Sequence, residues 1–154
     1  MGINMEVSQE RFELALRELR DSDWERFERL SSTFLASEWP NLRTMASPTG
    51  DGGRDSELFS PKGTANVVIQ YSIQKEWTAK IRLTAKRLAA TFPDANILVF
   101  MSNQEIGAKS DQLKSELSSR GIFLDVRDRS WFIERANLDS NRSAFDISRN
   151  AMAQ

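Results

Sequence analysis

The chain has 154 residues, with 22 acidic against 21 basic side chains, and contains neither histidine nor cysteine. That length suits one domain with a core of its own, and a composition 40% hydrophobic and 28% charged is that of a globular protein. Lacking imidazole and thiol, the chain can build no zinc finger, disulfide scaffold, cysteine nucleophile or Ser-His-Asp triad, so any metal must accept hard oxygen ligands, as magnesium, manganese and calcium do.

No stretch is long and apolar enough to span a membrane, and the charged N-terminal residues lack the apolar centre of a secretory signal. A cytoplasmic protein is therefore expected. The spacing of Phe12, Leu16 and Leu19 predicts a first helix over Ser8 to Arg20. Trp24, Phe27, Leu30, Phe34 and Leu35 predict a second over Asp23 to Ser37, with Pro40 just beyond it. Between Pro40 and Asp55 the text is punctuated by proline and glycine. It reads as an extended stretch, Leu42 to Ala46, then a tight turn. Glu57 to Ser60 reads as a short strand and Pro61 to Gly63 as a turn. "NVVIQYS", Asn66 to Ser72, reads as a strand buried on both faces.

The longest helix is expected over Ile73 to Phe92. On a wheel at about 100° per residue, Ile73, Trp77, Ile81, Leu88 and Phe92 share one arc. Lys80 falls at the edge of that arc and should lean toward the sheet. Lys75, Arg82 and Lys86 fall on the opposite side. Further elements are a strand over Asn96 to Ser102, a helix over Ser110 to Ser119 ended by Gly121, a strand over Ile122 to Val126 and a short helix over Ser130 to Arg135. Residues 137–154 read as a polar tail or linker cut from a longer protein, leaving 1–136 as the domain. Helices alternating with strands indicate an α/β fold. The opening helices and the cluster of short strands favour a mixed central sheet flanked by helices.

Four features carry the chemistry. Asp55 closes the turn "GDGGRD", where three glycines admit a sharp bend and a close ligand. Gln70 lies among apolar residues, and a buried amide needs partners or a metal. Lys80 and Lys75 follow on the next segment, and Glu28 borders the stripe of the second helix. Each also has an ordinary reading. Asp55 suits a turn, Gln70 a satisfied core amide, Lys80 a lysine snorkelling past Trp77, and Glu28 a solvated helix charge. Glu105 to Arg135 offers no readable chemistry.

The turn, the strand "IQYS" and the basic helix "IQKEWTAKIRLTAKRL" resemble the PD-(D/E)XK restriction-endonuclease-like superfamily, in particular its Mrr-type branch. That branch reads roughly G-x-G-G-x-D followed by Q-x-K. The resemblance covers about Trp24 to Arg135, so the first helix is read as peripheral. It implies an α-β-β-β-α-β core and a magnesium-dependent DNA endonuclease in which manganese can substitute. Asp55, Gln70 and Glu28 would hold the metal, and Lys80 or Lys75 would act with Asp55 and Gln70 as the catalytic set. One position departs from the pattern: Ser72, not lysine, stands two residues after Gln70. Either the lysine has migrated to the helix or the site is inactive.

Arg54 to Arg87 carries seven positive and three negative residues, with Arg54, Lys75, Arg82 and Lys86 the expected DNA contacts. The near-neutral total charge implies that a homo-oligomer or a partner adds avidity. The stretch "QYSIQKEWTAKI" also resembles nuclease domains fused to nucleotide-binding sensor modules in bacterial antiphage proteins. Two other classes stay open. One is an inactive nuclease fold that only binds DNA or a partner. The other is an oligomerisation module docking through an exposed Trp131 and Phe132.

Overall fold

The computed structural model describes residues 3–36, 38, 67–91 and 93–136. Helix α1 spans Ile3–Arg17 and α2 spans Trp24–Leu35. Strand β1 (Val67–Ser72) leads to α3 (Trp77–Thr91) and β2 (Ile97–Ser102). Helix α4 (Asp111–Ser118), β3 (Phe123–Arg127) and α5 (Arg129–Arg135) follow. The glycine turn with Arg54 and Asp55 lies outside the described residues. So do the expected strands 42–46 and 57–60, Phe92 and the tail 137–154.

The fold is α/β with a small parallel sheet in the order β1-β2-β3. Ile69 pairs with Val99 and Gln70 with Phe100, while Leu98 pairs with Leu124. The members that would make the sheet mixed were read at 42–46 and 57–60, outside this set. Alternation along the strands divides the core into two layers. Val67, Ile69 and Tyr71 meet Phe12, Leu16, Phe27, Phe34, Leu35 and Phe132 on one face. Val68, Leu98, Phe100 and Leu124 meet Ile81, Leu88, Leu113 and Leu117 on the other. The first layer is aromatic, with Phe12 stacked on Phe34 at 5.8 Å and Phe34 edge-on to Phe132 at 5.0 Å. Truncating such a ring to alanine costs about 3–5 kcal/mol.

Three expectations need correction. The N-terminal helix is no peripheral appendage, because Phe12 and Leu16 are fully buried in the aromatic layer. Phe132 is not an exposed docking residue but a core residue, and Trp131 is half-buried beside it. Helix α3 begins at Trp77, four residues after the expected Ile73. There Ser72 Oγ accepts the Gln74 N–H at 3.2 Å, a local bond that turns the chain, and Ile73 packs into the aromatic layer instead. The end of α4 follows the sequence. Gly121 takes a positive φ of 81°, and the Ile122 N–H returns to the Leu117 carbonyl at 2.9 Å. Among the described residues no helix is long and apolar enough to cross a membrane.

Candidate functional site

Gln70 sits in the middle of β1 with no exposed surface. Alternation turns it away from the aromatic layer and toward α3, where the Thr84 hydroxyl donates to its Oε1 at 2.6 Å. Thr84 is itself buried. The amide's other end, Nε2, is buried with no hydrogen-bond partner among the described residues. Such a donor costs about 1–3 kcal/mol unless something accepts from it.

Lys80 stands one helical turn before Thr84, on the same face of α3, and is only 6% exposed. The wheel placed it at the edge of the apolar arc, and the fold buries it there rather than letting it snorkel. Ser72 follows Gln70 by two residues and so shares its face of β1. Gln70 and Ser72 from the strand, with Lys80 and Thr84 from the helix, thus line one α3–β1 seam. Lys75 is not part of it. It is exposed in the connection before α3.

Glu28 is buried too, 3% exposed on α2. It lies on the other side of β1. Tyr71, whose hydroxyl is 3.3 Å from Ser32 Oγ, faces that side. Burial pushes the Tyr71 phenol above its ordinary value, the Ser32 bond pulls the other way, and the negative charge of Glu28 adds to the rise. The structure therefore does not place Glu28 and Gln70 on one face; they flank β1, the first strand of the described sheet, from its two sides.

The expected DNA contacts fall on the surface. Lys86 is exposed on α3. Arg82 is exposed as well, but its guanidinium forks onto Glu116 of α4 at 3.2 and 2.9 Å. That bond holds the Glu116 carboxyl below its usual value and raises Arg82. Arg54 and Asp55 lie outside the described residues.

Sequence reasoning passed over the far end of the sheet, where the polar side chains are densest. Arg127, 7% exposed, donates to Glu38 at 2.6 and 2.8 Å and to Asp125 at 3.2 and 2.9 Å. Its guanidinium lies 5.0 Å from the Trp131 ring, and Arg135 lies 4.5 Å from the same ring. Burial pulls the Arg127 guanidinium down, but the two carboxylates outweigh it. Asp128 caps α5 by accepting the Trp131 N–H at 3.2 Å, and takes the Ile106 and Gly107 N–H groups at 3.1 and 2.8 Å. Burial raises its carboxyl, yet these three donors hold it below the ordinary value. Asn103 reaches the Leu16 carbonyl at 2.8 Å, and Gln104 the Ile73 carbonyl at 3.2 Å. The signal for Asp128 was in the text, an aspartate directly before a short helix. Glu38 and Arg127 are 89 positions apart, and no local pattern announces their pairing.

Among the described residues no three carboxylates gather into a set that would hold a metal by themselves. The seam is compatible with a cation in one respect. Gln70 Oε1 accepts one bond, from Thr84, and an amide oxygen has a second lone pair to offer. No protein-family model, curated protein or solved structure matches the chain.

Proposed function

We propose that the chain is a metal-dependent DNA endonuclease of restriction-endonuclease-like fold. It cuts double-stranded DNA with little sequence preference as the effector of a bacterial antiphage system. The observation that carries this reading is the burial of Lys80 on the face of α3 that also presents Thr84 to Gln70. A lysine missing from the strand at Ser72 is then supplied to the same seam by the next helix.

Gln70 and Asp55 are the residues that would hold magnesium, or manganese in its place, and Glu28, on the other side of β1, is left out of that set. When bound, the cation polarises a phosphate and acidifies a water. Lys80 orients the attacking water or offsets the charge that builds on the phosphorane. The closed seam keeps bulk water from Gln70, which strengthens every charge interaction there. Arg54, Lys75, Arg82 and Lys86 contact backbone phosphates, Arg82 by exchanging Glu116 for a phosphate oxygen. A homo-oligomer or a fused nucleotide-binding sensor module supplies the avidity that a near-neutral chain lacks.

A second reading has one observation in its favour. The Ser72 hydroxyl is committed to the Gln74 N–H, so the position that carries lysine in the family is structural here. An inactive nuclease fold that binds DNA or assembles would look the same at that position. Digestion of supercoiled plasmid with magnesium, manganese or EDTA separates the two. The endonuclease reading expects nicked and linear products with either metal and none with EDTA. It also expects Asp55→Ala to be inert while melting at the parent temperature. An Asp55→Ala protein that digests plasmid as the parent does overturns the assignment.

A further inference from the structure

We infer that the α3–β1 seam is an oxyanion site, in which Gln70 Nε2, the Ser72 hydroxyl and the Lys80 ammonium receive one phosphate group. The inference deepens the endonuclease reading and rests on it only for the source of that phosphate, the DNA backbone. It uses the end of the amide opposite the one a cation would use, and no metal enters it.

The chemistry of the described lining points one way. Gln70, Ser72, Lys80 and Thr84 supply no carboxylate, and the one charge among them is positive. A threonine hydroxyl can bond either end of an amide, so the separation has to decide which end faces Thr84. At 2.6 Å it suits an O–H···O bond and is shorter than the ~2.7 Å at which N–H···O bonds begin. Oε1 therefore faces Thr84, and the bare atom is the donor Nε2. On the same face of β1 the Ser72 hydroxyl accepts the Gln74 N–H, so its own hydrogen is the part left to donate. A buried donor with no acceptor is a cost that an incoming oxygen removes. A charged oxygen removes most of it, because bonds to charged groups are the stronger ones and a dry site strengthens them further. Lys80 contributes its charge, which attracts an anion and repels a cation. Gln70 has no exposed surface and Ser72 and Thr84 have 1% each, whereas Lys80 keeps 6%, so an anion enters past Lys80.

The test is binding of inorganic phosphate to the metal-free protein in EDTA, by calorimetry and by thermal melting against chloride at equal ionic strength. The parent, Gln70→Met, Lys80→Met and Lys114→Met are compared. Lys114 is an exposed lysine of α4, outside the seam. The parent should bind phosphate and melt higher with it than with chloride. Each seam substitution should weaken binding by ~10- to 100-fold, the worth of one bond to a charged group, and Lys114→Met should leave it unchanged. Lys80→Met carries the comparison if Gln70→Met fails to fold. A short DNA duplex added in EDTA should displace the phosphate. A duplex that does not displace it overturns the DNA source and assigns the seam to a free phosphate. A parent that responds to phosphate as it does to chloride, or seam variants that bind as tightly as the parent, overturns the oxyanion site itself. Neither result touches the endonuclease reading, which stands or falls on magnesium-dependent plasmid cleavage by the parent.

Discussion

The two edges of the described sheet bury polar groups in opposite ways. At the β3 edge, all three guanidinium nitrogens of Arg127 donate, and both Asp128 oxygens accept. At the β1 edge, Gln70 has one end held by Thr84 and the other bare. A complete network stabilises a fold and asks for nothing further. An incomplete one in an equally dry place is a cost that a ligand can remove. On the proposed reading, the β3 edge serves stability and the β1 edge is where a ligand would act.

The contrast can be broken by substitution. Arg127→Met should lower stability by about 2–3 kcal/mol, since it strands Asp125 and releases Glu38, which is half-exposed and rehydrates readily. Thermal melting would show this as a drop of roughly 5–10 °C, with the metal-dependent gain in melting temperature unchanged. Gln70→Leu should do the reverse. It removes a bare donor from the core but also the acceptor of the buried Thr84 hydroxyl, so the two effects oppose and the metal-free protein should stay within about 1 kcal/mol of the parent's stability. Its response to magnesium should vanish. If Arg127→Met abolishes the metal response while Gln70→Leu keeps it, the two edges have been assigned the wrong way round.

Acid sharpens the same comparison. Asp128 has a folded value below the ordinary 3.8, so its contribution is complete above that value. It is lost as pH falls through the lowered folded value. The parent should therefore lose stability steeply below about pH 4. Asp128→Asn should cost about 1 kcal/mol at neutral pH and show a shallower acid limb in denaturant titrations. An unchanged acid limb would mean that the three backbone donors do not favour the charged carboxylate. The smallest effect is expected at the surface. Arg82→Ala should leave melting unchanged, because the pair with Glu116 is solvent-exposed. It should lower the slope of log affinity for DNA against log salt by about one. A slope that stays the same removes Arg82 from the DNA surface.

Much of the scaffold was legible from the sequence. Consecutive apolar residues located β1 and β2 to within one residue, and Gly121 marked the end of α4. The wheel separated a buried Lys80 from exposed Arg82 and Lys86. It failed at the start of α3 because Ile73 continues the apolar arc in projection. A side-chain bond from Ser72 diverts the backbone there, and periodicity is blind to such bonds. Thr84 was overlooked because a small polar residue on an apolar arc has no signature of its own. Its meaning depends on the strand it faces, 14 positions earlier. Glu28 was placed at a helix border, and only the packed layers show that it approaches β1 from the side opposite Gln70.

The most direct trial of the central claim compares two lysines. Lys80→Met and Lys75→Met are assayed for single-turnover cleavage of plasmid at saturating magnesium. With the seam as the reacting centre, Lys80→Met should lose about 10²- to 10³-fold in rate, and Lys75→Met should stay within a few-fold of the parent. Equal rates in the two variants, or full activity without Lys80, would contradict it.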